Sequence, residues 1–547
     1  MVRRWVRVCL VATFIVVLNF LALGAWAQTP VALSSLETNN TSACAAKGSP
    51  SYCYAGFAGM TDELQTPPVL YNPPPGNVSK RATSTLLYSG NNTYLFVHFQ
   101  PWFYQNATQK AATGYNSNDK NTVAKQIGDM KMRGFHGVVI DWYGKCGGDQ
   151  QCSGSNAGWD DGTTQQISSN LGPSCKSAQS CPFYFSIMED KGSLEYQDLC
   201  DPTTDGSKGT SSTANCIAAL ERDLSYMATT YFTSNAYMKV DATTNQISPT
   251  GRPVVFLFML PASDYNQSTT DWSTVWSTVT QWAVSNAQNP LFYFESIFDP
   301  NTLNSVYGWP ATMDAGGAYA WPNWNGYTGG YLGQVFPGDP VGYTYLTNDF
   351  YAPSVSYDTK ENVIGASWKG FDDANSWGHT SKPNHPVMPQ ECGLTWINAL
   401  KQMNQYYSKT GTQLPWLGIT TWNDYDEGSE IETGIDNCVT SFTESFQTGT
   451  STLDWTINFG SSMGYAGSED TVYQYVVYYT TDGVNLTQVH AVAAKHAGGT
   501  TASYSSDVCT YTTKIPNGAT VYVQAQGEPS IFNHLVSSPQ VFGQTCP

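Results

Sequence analysis

Between Tyr94 and Thr421 the chain repeats one pattern: a short apolar run rich in aromatic and β-branched residues, then a longer polar or helical stretch. Short apolar runs bounded by turn residues read as buried strands, and apolar positions three or four apart read as a helix face. The runs are Tyr94–Gln100, Gly137–Trp142, Pro182–Met188, Pro253–Leu260, Leu291–Ser296, Gly317–Trp321, Asn362–Trp368 and Trp416–Thr421. Helical spacing is predicted over Thr122–Arg133, where Val123, Ile127 and Met130 share a face, and over Ala214–Tyr231, Asp271–Asn286 and Gly393–Tyr407. Eight strands alternating with helices imply parallel βαβ units closed into a (β/α)8 TIM barrel. An open doubly wound sheet is the alternative, but it usually carries a glycine-rich phosphate loop, and the chain has no G-x-G-x-x-G or P-loop.

Past Thr448 the period shortens to two. Thr452–Phe459, Thr471–Thr480, Leu486–Lys495, Ser503–Lys514 and Ala519–Gln526 alternate between apolar and polar, with turns such as Pro516-Asn517-Gly518 between them. This predicts a small all-β domain, an immunoglobulin- or fibronectin-like sandwich. The expected layout is a signal peptide over 1–27, an irregular lead-in over 28–91, the barrel over 92–447 and the sandwich over 448–547. The signal expectation rests on Arg3, Arg4 and Arg7, an apolar run from Val8 to Leu23, and Ala25-Trp26-Ala27 as a cleavage box.

Composition changes the picture in two ways. The formal charge is −18, and −21 once the three signal arginines are gone, so a nucleic-acid partner is not expected. No membrane attachment is expected after signal cleavage. Charged residues make up only 12 %, about half the usual share, whereas Tyr, Trp, Asn, Ser, Thr and Gly abound. Aromatic faces and neutral polar groups suit a hydroxyl-rich ligand, which makes a polysaccharide the expected partner. Of 13 cysteines, Cys9 lies in the signal, and the other twelve fall into sequence-close pairs: Cys44/Cys53, Cys146/Cys152, Cys175/Cys181, Cys200/Cys216, Cys392/Cys438 and Cys509/Cys546. In an exported chain such a pattern reads as disulfides rather than metal ligands, with nearest-neighbour pairing favoured.

The candidate chemistry sits at the strand ends. In Leu414–Gly434 an apolar strand over Leu414–Thr421 stops abruptly in Trp422, Asn423, Asp424, Tyr425, Asp426 and Glu427, with Glu430 and Glu432 following, so five carboxylates fall within nine residues. Barrel enzymes carry their reacting groups at the carboxyl ends of the strands. The other strand ends supply His98, Gln100 and Trp102; Asp141, Trp142 and Tyr143; Glu189; Glu295; and Trp368, Asp372 and Asp373. Two carboxyl groups suffice for glycoside cleavage, one protonating the leaving oxygen and one acting at the anomeric side, so no metal or organic cofactor is expected. The chain has neither a G-x-S-x-G elbow nor an H-E-x-x-H zinc motif.

Trp422-Asn423-Asp424-Tyr425 followed by Glu427 resembles the motif of glycoside hydrolase family 71, the α-1,3-glucanases. Glu427-Gly428-Ser429-Glu430-Ile431-Glu432 is closer to the matching segment of family 99, the endo-α-mannanases and mannosidases. Both families are (β/α)8 enzymes, and the resemblance implies a catalytic pair at Asp424 and Glu427; the remaining strand-end residues are expected, from their place at the rim, to bind substrate. Asp426 stands where family 71 usually has glycine, and Asp424 where family 99 usually has glutamate. The expected function is a secreted glycoside hydrolase acting on an α-linked glucan or mannan. A hydrolase of a β-linked glycan and a non-catalytic sugar-binding barrel stay open.

Overall fold

The computed structural model describes residues 31–32, 78–103, 116–146, 158–177, 181–198, 200, 212–258, 270–295, 316–322, 341–356, 362–372, 387–531, 535–537 and 539–547. The signal segment, Cys44, Cys53, Cys152 and Asp373 lie outside them. The barrel strands are β1 (Tyr94–Phe99), β2 (Gly137–Trp142), β3 (Tyr184–Asp190), β4 (Arg252–Phe258), β5 (Leu291–Glu295), β6 (Gly317–Tyr319), β7 (Asn362–Trp368) and β8 (Trp416–Thr420). They pair in parallel in the order β3-β2-β1-β8-β7-β6-β5-β4, and β4 closes back on β3. Every residue of β2, β3 and β8 is buried, as a sheet covered on both faces requires.

Around the strands lie α1 (Lys120–Met132), α2 (Trp159–Leu171), α3 (Lys191–Asp198), α4 (Thr213–Thr230), α5 (Trp272–Asn286), a π-helical segment (Tyr345–Tyr351) running into α6 (Ala352–Ser356), and α7 (Leu394–Gln402). Three of these begin at side-chain caps, Asp119, Ser212 and Asp271, each accepting from first-turn N–H groups. Periodicity did not announce α2. Its buried face is Asp160, Asp161, Thr163, Thr164, Ile167 and Leu171, mostly polar, and Asp161 accepts hydrogen bonds from Trp142 Nε1 (3.1 Å), Tyr226 (2.6 Å) and Tyr231. A helix seated on buried polar groups leaves no apolar stripe to read.

Strand register sets which side chains enter the barrel. Gly418 pairs with Phe96 and with Ala366, and a Cβ at 418 would come within 3.1 Å of His98 Nε2. The interior therefore takes Phe96, Trp416 and Tyr293 at the floor, then His98, Phe256, Tyr319 and Met188 above them. A two-strand hairpin (Lys239–Asp241, Gln246–Ile247) closes the floor, with the carbonyl of Asn245 accepting from Trp416 Nε1 at 2.9 Å.

The C-terminal region is two antiparallel sheets around one core. The first joins β9 (Val439–Phe446), β10 (Thr452–Phe459) and β13 (Thr501–Asp507). The second joins β11 (Val472–Thr480), β12 (Asn485–Ala493) and β14 (Thr520–Gly527), with Val31–Ala32 added on the free edge of β12. Trp455, Tyr475 and Tyr504 meet in the middle. No local pattern announced β9 or the edge strand at 31–32.

Four disulfides join the expected neighbours: Cys175–Cys181, Cys200–Cys216, Cys392–Cys438 and Cys509–Cys546. Cys146 is also bridged. Cys392–Cys438 (Cα–Cα 5.4 Å) links the turn before α7 to the start of β9. It ties the barrel to the two-sheet region. Trp396 Nε1 donating to Pro529 O (2.9 Å), Ile435 N to Ser530 O (2.8 Å), and an Arg81–Glu528 ion pair follow the same seam. Among the described residues, no helix is long and apolar enough to cross a membrane.

One buried acid in this region makes stability depend on pH. Glu444 accepts from Ser537 Oγ, its Oε1 has no partner, and burial pushes its carboxyl up to about 8. A raised carboxyl pKa favours the folded state while the group is protonated. That stability is present below the unfolded value of about 4.5 and is lost as pH rises through about 8. Glu444→Gln is expected to raise the melting temperature at pH 8 relative to the unaltered chain and leave it nearly unchanged at pH 4.5. Thermal unfolding across that range checks it.

Candidate active site

At the end of β8 the chain folds into a compact turn. Thr421 N donates to Ser429 O (3.1 Å), Ser429 N to Asp424 O (3.1 Å), and Asp424 N to Thr421 Oγ1 (2.9 Å). Gly428 closes the turn at φ 59°, a left-handed conformation that side chains disfavour. Neighbouring elements hold the turn from two sides. Asn423 bridges Gln100 at the end of β1, accepting from its N–H (2.8 Å) and donating to its carbonyl (2.9 Å). Arg133, at the end of α1, donates to the carbonyls of Ile431 and Glu432 at 2.6 Å each and lies over the Trp422 ring. Glu432 accepts from Gln126 (2.8 Å) and Tyr425 (3.1 Å), which makes it part of the bracing.

Inside this frame Asp424 is 2 % exposed and accepts from Gln100 Nε2 (2.8 Å) and from Glu427 N (3.0 Å). Burial raises its pKa against those two bonds, which work the other way. Asp141, at the end of β2, is 4 % exposed. Burial, then the charges of Asp190, Asp424, Asp160 and Glu427, hold it well above the carboxylate range. Asp426 is pushed up to about 7 by burial and by Asp424. Glu427 is partly open to solvent, and its backbone carbonyl accepts from Asp372 N at 2.8 Å. Buried acids that raise one another's pKa give protonated and ionised carboxyls side by side near neutrality, the condition for general acid–base work.

The alternation of β3 places Asp190, rather than Glu189, with these acids. Glu189 pairs in register with Trp142, accepts from Ser193 Oγ (2.9 Å), and feels Asp223 and Arg222 of α4 in the helix layer. Trp142 turns the same way, donating to Asp161 and stacking on Tyr226. Trp422 packs beneath Arg133 and against Phe135. Trp368 points inward by register, but it is fully buried, with its Nε1 donating to Val341 O at 3.1 Å. In this packing none of the three tryptophans presents a face to a ligand. Trp102 does better: it is partly exposed and meets Tyr143 edge-on at 5.5 Å. His98 lies one layer below the rim, held neutral by burial, which lowers its pKa to about 3. Glu295 is buried at the end of β5, and Asp372 is buried in a short pairing with Val387–Met388.

Sequence reading passed over two features. Trp321 follows β6 and packs edge-on against His98 (4.7 Å) and Phe258 (4.9 Å), placing an aromatic wall opposite the acids. Lys369 and Glu430 form an ion pair at 2.7 Å, both fully buried. Strand parity pointed to Trp321, two positions on from the inward Tyr319. A lysine ending an apolar strand was the signal for the second feature.

No family model matches the chain, and no curated protein sequence matches it. Among solved structures it is similar to a family 99 endo-α-mannosidase of Bacteroides thetaiotaomicron, with 14 % identity over 62 % of this chain and 87 % of that one and a TM-score of 0.39. A protein described as glycoside hydrolase-like gives 12 % identity, 68 % and 92 % coverage and a TM-score of 0.42. The catalytic domain of the major endoglucanase of Xanthomonas campestris pv. campestris gives 10 %, 68 %, 93 % and 0.32. None of these likenesses is close enough to bring a substrate with it.

Proposed function

We propose that the chain is a secreted glycoside hydrolase cleaving an α-linked polysaccharide, with Asp424 and Glu427 as its carboxyl pair. The observation that carries this reading is the convergence of Asp424, Glu427, Asp141 and Asp190 at the carboxyl ends of β8, β2 and β3, with β1 between the first two. Glu427, the more open of the pair, is the general acid. Asp424, fixed by Gln100 and the loop backbone, is the base that activates water or a sugar hydroxyl. Gln100, Asp141, Trp102, Tyr143 and Trp321 position the sugar, while Asn423, Trp422 and Arg133 hold the loop. The resemblance of Trp422–Glu427 and Glu427–Glu432 to families 71 and 99 supports an α-glucan or α-mannan. The N-terminal signal pattern and the disulfides support export, and the two antiparallel sheets support an immunoglobulin- or fibronectin-like accessory domain.

The test is release of reducing ends from α-1,3-glucan, α-mannan, β-glucan and xylan, with product analysis. Cleavage of an α-linked polymer is expected, and cleavage confined to β-linked ones would replace the linkage in this reading. One observation favours a non-catalytic sugar-binding barrel: Asp424 is nearly inaccessible and both its carboxyl oxygens are engaged. That reading expects saturable binding with no reducing ends from any substrate.

A further inference from the structure

Among the described residues, acids gather along one arc of the barrel's top layer. The consecutive strands β8, β1, β2 and β3 lead into Asp424, Gln100, Asp141 and Asp190, and Asp160, Asp426 and Glu427 adjoin them. Phe99 pairs with Ile140, so Gln100 and Asp141 lie side by side at the next step of the register. Each offers a buried acceptor with no hydrogen-bond partner, Gln100 Oε1 and Asp141 Oδ1, on side chains 3 % and 4 % exposed. The bond from Gln100 Nε2 to Asp424 fixes which end of that amide is the free acceptor.

Buried acceptors left unmet cost about 1–3 kcal/mol each, so a layer that keeps two together is built for a ligand that donates. A hydroxyl brings one donor and also two lone pairs of its own, which face further acceptors here. An ammonium group brings three donors and no acceptor, and its charge offsets the surrounding carboxylates. Lys369 is held by Glu430, and Lys191 is buried at the start of α3. The chain as a whole carries −18, which steers polycations toward it.

We propose that the site takes a glycan bearing free amino groups, an α-linked hexosamine polymer whose ammonium group sits between Gln100 Oε1 and Asp141 Oδ1. Cleavage of that glycan rests on the hydrolase reading above; its selective binding does not. The measurement is calorimetric affinity of the full chain carrying Glu427→Gln for three trisaccharides: α-1,4-linked galactosamine, the same trimer N-acetylated, and maltotriose. The free amine is expected to bind about 10-fold or more tighter than the other two, as one charge-assisted hydrogen bond implies. That margin should shrink at high salt and collapse toward unity when Asp141→Asn is added. Should the added variant not fold, the thermal shift of the unaltered chain by the amine and N-acetylated trimers decides, the amine being expected to raise the melting temperature more. Equal binding of the three, or preference for an uncharged one, overturns the proposal. If a neutral α-glucan is cleaved while the three trimers bind alike, only this inference falls. Amine-selective binding without cleavage of any glycan removes the hydrolase reading instead.

Discussion

Glu427→Gln is expected to slow hydrolysis of the best polysaccharide about 10²–10⁴-fold, the usual contribution of general acid–base assistance, with little change in stability. Both halves follow from how Glu427 is held. Its backbone N–H donates to Asp424 Oδ1 and its carbonyl accepts from Asp372 N, and glutamine keeps both. Its side chain is partly open, so an amide there leaves no buried charge behind. An aryl glycoside of the same sugar, whose leaving group needs no proton, should lose much less rate. A variant that keeps full rate on the polymer overturns the assignment. Asp424→Asn is a poorer probe, because its amide would turn a donor toward Gln100 Nε2 or Glu427 N and disturb the loop as well as the chemistry. The base role is better read from pH. Asp424 must be ionised to act, and burial raises its pKa, so activity is lost as pH falls through that raised value. Gln100→Leu removes the bond that holds the pKa down. It should move the acidic limb of the rate profile to higher pH.

The barrel was legible because its strands are continuous apolar runs: Gly137–Trp142 and Asn362–Trp368 have the same ends in the sequence pattern and in the structure. Where polar residues are buried, the pattern fails. Hydropathy ended the third strand at Met188, yet the strand continues through Glu189 and Asp190, because both acids are buried where it ends. Those two residues were the point at issue, since parity sends one toward the helices and the other into the acid cluster. The same parity was available for Asp141 and Trp142, where an inward acid forces the tryptophan out. Composition marked the aromatics as a class but could not say which way each one faced. The acidic loop was legible as a cluster of carboxylates. Its division of labour was not, because Glu432 and Glu430 are set apart from Asp424 largely by Arg133, Gln126 and Lys369, which come from distant parts of the chain.

The strongest stability effect is expected at that last residue. Lys369 and Glu430 meet at 2.7 Å with no solvent on either side chain, beneath the loop that carries Asp424. Burial alone pushes Glu430 upward, to about 7 even beside the lysine, and the charge of Asp424 adds to the push. Lys369→Met removes the compensating cation and leaves a buried carboxyl, one oxygen of which already has no partner. Breaking a buried pair from one side costs about 3–5 kcal/mol, whereas replacing both partners by apolar groups of similar volume is close to neutral. Denaturant unfolding should therefore show a large loss for Lys369→Met and its recovery in Lys369→Met/Glu430→Leu. The deficit must also depend on pH. In the single variant the folded-state pKa of Glu430 rises further above its unfolded value of 4.5, so folding favours the protonated form. Stability is then retained near pH 4.5 and lost progressively as pH rises, which makes the single variant nearest to the unaltered chain in acid and furthest from it above neutrality. A deficit that stayed below about 1 kcal/mol at pH 8 would place the pair among ion pairs that solvent screens, contrary to its burial here.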